Sequence, residues 1–143
     1  MPEAQPRPLI LVLENNGRLA VALTILIEDW GFTPVTANSA SVAARALGPR
    51  VQDVNAIIVD YHLDDGFTGI NGARALTRAI GHAVPTIVTT GHAILAEHAN
   101  AFPVLSKPFD PSILRRWLED HVERSAAKQA TDGTAPSSEA STR

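Results

Sequence analysis

The sequence predicts an α/β domain with five parallel strands and helices covering both faces of the sheet. Three observations predict it. Short unbroken apolar runs recur along the chain, and each suits a strand buried on both faces of a parallel sheet. Between them lie segments whose apolar residues recur every three or four positions, the spacing of an amphipathic helix. The two patterns alternate five times, and such alternation builds a parallel sheet with helices on each side. The right-handed crossover rule then leaves few topologies.

Each element follows from its residues. Residues 1–7 are polar and punctuated by proline, and predict a disordered lead-in. Leu9-Ile10-Leu11-Val12-Leu13 is the first strand, ended by the polar turn Glu14-Asn15-Asn16-Gly17. Leu19, Ala22, Leu23, Leu26, Ile27 and Trp30 mark a helix that Gly31 stops. Phe32 to Ala37 can form the second strand. Asn38 or Ser39 can cap a helix carrying Val42, Ala43, Ala46 and Leu47, with Gly48-Pro49 behind it. Ala56 to Val59 is a third buried strand ending at Asp60, and Asn71 can cap a helix through Ala73, Leu76 and Ile80. Val84 to Val88 is the fourth strand, with Pro85 tolerable at its start. A short helix from Ala93 to about Ala99 and a short strand at Val104-Leu105 follow. Asp110-Pro111 is a cap with proline at the first helical position, opening a last helix with Ile113, Leu114, Trp117, Leu118, His121 and Val122. Residues 129–143 are small and polar and predict a flexible tail, so the expected domain is 8–128.

Composition removes several functions. One domain is expected to use nearly all of the 143 residues, and no second, effector domain is then expected within them. The absence of cysteine excludes a disulfide scaffold, a thiolate zinc site and an iron–sulfur cluster, and fits a reducing cytoplasm. A net charge of −3 argues against nucleic-acid binding through bulk charge. No apolar run reaches the length of a membrane span, and Met1 to Pro8 lacks the apolar core of a signal peptide. Neither a dinucleotide fingerprint nor a P-loop occurs, and the five histidines lack zinc-site spacing. His62 and His92 fall on rim loops and could tune a pocket, though most of the histidines read as ordinary surface residues.

In open parallel sheets, ligands sit outside the carboxyl ends of the strands. Those ends supply Glu14 and Asn15, then Asp60, then Thr89 and Thr90, then Ser106 and Lys107. Oxygen donors suit a hard cation such as Mg²⁺, which takes one or two carboxylates and keeps waters. A lysine and a hydroxyl suit a phosphoryl group. A carboxylate beside them can act as the nucleophile in phosphoryl transfer.

With the segments LENN, IIVDYHL, IVTTGHA and LSKPFD in this order, residues 8–127 resemble a response-regulator receiver domain, the CheY-like fold of two-component signalling. The resemblance implies the flavodoxin-like strand order 2-1-3-4-5. It also implies that Asp60 is the phosphoacceptor, Thr90 the switch hydroxyl and Lys107 the phosphate-contacting lysine. Glu14, Asn15, Asp60 and the backbone carbonyl of His62 would hold Mg²⁺. The phosphoryl group would come from a sensor histidine kinase or a histidine phosphotransfer protein. The output would be a contact with a downstream protein target or onward phosphorelay, with no nucleic acid and no membrane involved. The chain is expected to be cytoplasmic, a monomer or weak homodimer, and not an enzyme beyond assisting its own phosphorylation.

The sequence departs from the family in four places. Asn15 stands where receivers usually have a carboxylate, and the lost charge should weaken Mg²⁺ binding. Asp64 replaces a usual proline, and with Asp65 reads as a solvated loop before the third helix. Val104 replaces a usual aromatic, so aromatic–threonine coupling should be weak or absent; Phe102 reads as core or loop packing. Lys107 follows Thr90 by 17 residues, several fewer than is common in the family, so the intervening helix should be short or partly unwound. Asn15, Val104 and the short helix count for an alternative, a degenerate receiver that binds partners constitutively without productive phosphorylation, and the survival of Asp60, Thr90 and Lys107 counts against it. An aspartate-nucleophile phosphatase of the haloacid-dehalogenase type is disfavoured, because His62 stands where its second aspartate would be.

Overall fold

A computed structural model describes residues 7–63, 68–91 and 101–123. Its five strands are β1 (Leu9–Leu13), β2 (Thr33–Ala37), β3 (Val54–Asp60), β4 (Thr86–Thr90) and β5 (Val104–Ser106). They form one parallel sheet in the order β2-β1-β3-β4-β5. The helices are α1 (Gly17–Asp29), α2 (Ala40–Leu47), α3 (Gly69–Ile80) and α4 (Pro111–Leu118). The expected α/β class and strand order are both observed. The expected helix over 93–99, the tail over 129–143, most of the lead-in, and Asp64, Asp65, His92 and His98 lie outside the described residues.

The unbroken run of β1 is explained by burial on both faces. Leu9, Leu11 and Leu13 enter one apolar cluster with Ile57, Val59 and Val88, completed by α2 and α3 residues such as Ala43, Leu47, Ala73 and Leu76. Ile10 and Val12 enter a second with Ile58 and Ile87, completed by Leu23 and Ile27 of α1 and Leu114 and Leu118 of α4. Alternate residues of each strand thus feed opposite layers. Truncating a fully buried side chain such as Leu11 to alanine would cost about 2–5 kcal/mol.

The helix ends carry local signals. Asn16 caps α1 by accepting the Leu19 N–H at 3.1 Å, and Ser39 rather than Asn38 caps α2. α1 and α3 give way to Gly31 and Gly81, whose φ values of 98° and 94° are left-handed. The cap of α3 corrects the expectation: Thr68 is the N-cap, and Asn71 is the residue whose backbone N–H it accepts. A Ser/Thr cap works on a donor three residues on, so two cappable residues at that spacing look alike in sequence.

Other boundaries shift as well. β4 runs two residues later than expected, because its ladder to β3 pairs Thr86 with Ile57 and Thr89 with Asp60. β3 begins two residues earlier, at Val54, and β2 begins at Thr33, leaving Phe32 buried just before it. A 3₁₀ turn over Gly48–Asp53 follows α2, and α4 ends at Leu118 and passes into a π-turn over Glu119–Glu123. The apolar stripes are narrower than predicted. Ala22, Ala46, Val42 and Ile113 are exposed, the last at 49%. Trp30, Trp117 and Phe102 are half-buried against the two clusters, as packing residues.

Candidate functional site

The carboxyl ends of β1, β3 and β5 bring three charged side chains together. β1 ends at Leu13, and Glu14 extends its ladder by donating its N–H to the Ala37 carbonyl at 3.0 Å. β3 ends on Asp60 itself, in the centre of the sheet. Lys107 follows β5, anchored where its N–H donates to the Thr90 carbonyl at 2.7 Å. Its ammonium lies 3.1 Å from Glu14 Oε2 and 3.3 Å from Asp60 Oδ2. Glu14 and Asp60 are each only 4% exposed. Two carboxylates buried this far need a counter-charge, and the lysine supplies it.

Strand alternation explains the convergence. Glu14, Asp60 and Lys107 each stand two residues beyond Val12, Ile58 and Leu105, which all pack in the α1/α4 cluster. All three side chains therefore leave the sheet on one face. The acidic turn adds local order. Glu14 Oε2 accepts the Asn16 N–H at 3.1 Å, and Asp60 Oδ1 accepts the His62 N–H at 3.2 Å. Burial pushes the Glu14 carboxyl above its ordinary value of 4.5, and the nearby Asp60 carboxylate adds to the rise, while the Asn16 N–H and Lys107 oppose it.

The remaining expected residues sit around this triad. Thr90 ends β4 and is 3% exposed. Asn15 and His62 are exposed at the rim, and the His62 ring meets Tyr61 edge-on at 4.9 Å between centroids. Among the described residues no three histidine, cysteine, aspartate or glutamate side chains form a metal cluster. The buried carboxylates of Glu14 and Asp60 are the donor type that Mg²⁺ accepts, one or two carboxylates with waters completing its shell.

Two contributors were not apparent in the sequence. Asn16 reads as a turn residue, yet it both caps α1 and orients the Glu14 carboxylate. Gly69 opens α3 against the back of β3: its N–H donates to the Tyr61 carbonyl at 2.7 Å, and a Cβ there would overlap the Asp60 carbonyl oxygen. No spacing announces that close approach, because it depends on how the loop returns to β3.

No family profile matches the chain. The chain is 29% identical over 135 residues to the transcriptional regulatory protein GlrR of Escherichia coli (strain K12). That match takes in 90% of this chain but only 28% of the relative's length. The response-regulator receiver domain protein of Clostridium thermocellum superposes with a TM-score of 0.70 at 24% identity, over 84% of this chain and 98% of that one. A sensor protein from Polaromonas sp. JS666 superposes with a TM-score of 0.69 at 28% identity, over 84% and 99%. The structural neighbours are CheY-like receiver domains, and this chain shares their fold.

Proposed function

We propose that this chain, which carries the CheY-like receiver fold, accepts a phosphoryl group on Asp60 and signals by protein contact or onward phosphorelay. The observation that carries the reading is the buried Asp60 carboxylate at the end of the central strand, with the Lys107 ammonium 3.3 Å away and Glu14 sharing that ammonium. The donor would be a phosphohistidine on a sensor kinase or phosphotransfer protein. Its P–N bond would break as an Asp60 carboxylate oxygen bonds to phosphorus, and the electron pair would stay with the imidazole nitrogen. Lys107 would pair with phosphoryl oxygens, and the Thr90 hydroxyl would donate to one of them. Glu14, Asp60, Asn15 and the His62 carbonyl would hold Mg²⁺. The ion, when bound, would neutralise charge on the transferring group. Phosphorylation would then bias the rim around β4 and β5 toward a second packing arrangement that a protein partner reads.

Such a chain is a phosphoacceptor, not a catalyst for an external substrate. Among the described residues no helix is long and apolar enough to cross a membrane. The domain bounds 8–128 and a cytoplasmic site of action belong to this proposal.

The test is to add Mg²⁺ and beryllofluoride and follow amide shifts around residues 60, 90 and 107. The expected result is a saturable response that Asp60→Asn removes. No response in the native wild-type protein, even at high Mg²⁺, would overturn the reading. That outcome would favour a constitutive binding module, a reading for which Asn15 and the 40% exposed Val104 on β5 speak.

A further inference from the structure

Beside the acceptor lies a second hydroxyl that the proposed chemistry does not use. Thr89 is 1% exposed, and its Oγ1 has no hydrogen-bond partner among the described residues. Buried hydroxyls are ordinarily paired, and leaving one unpaired costs stability. Packing does not explain the choice: valine has closely the same shape and would fill the position without burying an unpaired hydroxyl.

The position of Thr89 gives the hydroxyl a use. Thr89 is in register with Asp60 on β3 and with Leu105 on β5. It stands two residues beyond Ile87, which packs in the same α1/α4 cluster as Ile58 and Leu105. Strand alternation therefore puts Thr89 on the sheet face from which Asp60 and Lys107 project. β4 lies between β3 and β5. The Lys107 side chain starts beyond β5 and ends 3.3 Å from Asp60 and 3.1 Å from Glu14, so it crosses β4 over the face that carries Thr89. An ammonium has three N–H donors, and the two carboxylates account for two.

We propose that Thr89 is a positioning residue of the phosphoryl site: once Asp60 carries a phosphoryl group and Lys107 turns to it, the Thr89 hydroxyl accepts a hydrogen bond from the Lys107 ammonium and holds it there. The inference rests on Asp60 being the acceptor. The hydroxyl thus has no partner among the described residues of the unmodified protein and gains one in the modified one. A lysine tethered this way keeps its charge on the phosphoryl oxygens instead of returning to Glu14.

Thr89→Val and Thr89→Ser in the full chain test this. Stability is read by urea unfolding without ligand, and beryllofluoride affinity by titration in Mg²⁺. Thr89→Val should be at least as stable as wild type yet bind beryllofluoride about tenfold more weakly, the size of a lost hydrogen bond to a charged group. Thr89→Ser, which keeps the hydroxyl, should restore binding. A merely structural role would change urea stability and leave the affinity alone. Wild-type affinity in Thr89→Val, or equal weakening in Thr89→Ser, overturns the proposal while Asp60 as acceptor stands. Failure of the native wild-type protein to bind beryllofluoride overturns both.

Discussion

Asn15 sits beside Glu14 at the end of β1, where a carboxylate would add a full negative charge to the proposed cation site. An amide oxygen can still ligate Mg²⁺ but offers only a dipole. Asn15→Asp should therefore tighten Mg²⁺ binding by about tenfold or more, since even at a surface-like dielectric one charge near a divalent ion outweighs 1.4 kcal/mol. Calorimetric titration with Mg²⁺ checks it, and equal or weaker affinity would refute it. Glu14 makes a second prediction, on pH. Burial holds its folded pKa above the ordinary 4.5. The folded state therefore favours the protonated form: that stabilisation is complete below the ordinary value and is lost as pH rises through the raised one. At neutral pH the native protein bears the cost of a buried charge that Lys107 only partly offsets. Glu14→Gln should be more stable than wild type near neutral pH, and the advantage should shrink toward about pH 4. Urea unfolding in metal-free buffer across that range measures it, and an advantage that grows on acidification would contradict the assignment.

At the scale of elements, the β3–α3 junction sets the backbone at Asp60. A methyl at Gly69 would meet the Asp60 carbonyl oxygen and lie 2.8 Å from Val59 Cγ2, so α3 would have to withdraw from β3. Gly69→Ala should cost about 1–3 kcal/mol in urea unfolding and shift the Asp60 and Tyr61 amides, because overpacked backbone cannot yield as a flexible side chain does. This junction also shows where sequence reading ends. β1 and β3 were legible as apolar runs because both their faces are buried, and that leaves a periodicity-free signature. Glu14, Asp60 and Lys107 were legible because a parallel sheet gathers strand ends on one rim. The exchange of Thr68 for Asn71 as the α3 cap was not, since both residue types cap and only the fold-back of the chain onto β3 decides between them. Nor was the later start of β4, which is set by ladder register with β3 and not by composition.

Across the whole molecule, the proposed site stands at the carboxyl end of the sheet that separates the two halves of the core. The described members of both apolar clusters run from Leu9 to Val122, and Val122 is fully buried. Glu14, Asp60 and Lys107 tie together β1, β3 and the end of β5, so anything held among them braces three strands at once. A ligand that binds the folded state alone stabilises it by mass action, by about 2.7 kcal/mol at a hundredfold excess over its dissociation constant. Mg²⁺ with beryllofluoride should therefore raise the unfolding free energy of the whole domain in one cooperative transition. Asp60→Asn should abolish the gain. If the domain is 8–128 as proposed, removing residues 129–143 takes away no member of either cluster. The shortened chain should then match the full one within about 0.5 kcal/mol and keep the same ligand-induced gain. Thermal unfolding of the two lengths, with and without the ligand, checks both parts. A shortened chain that melts early would place part of the core beyond residue 128. A shortened chain that melts normally but loses the gain would place part of the phosphoryl site there instead.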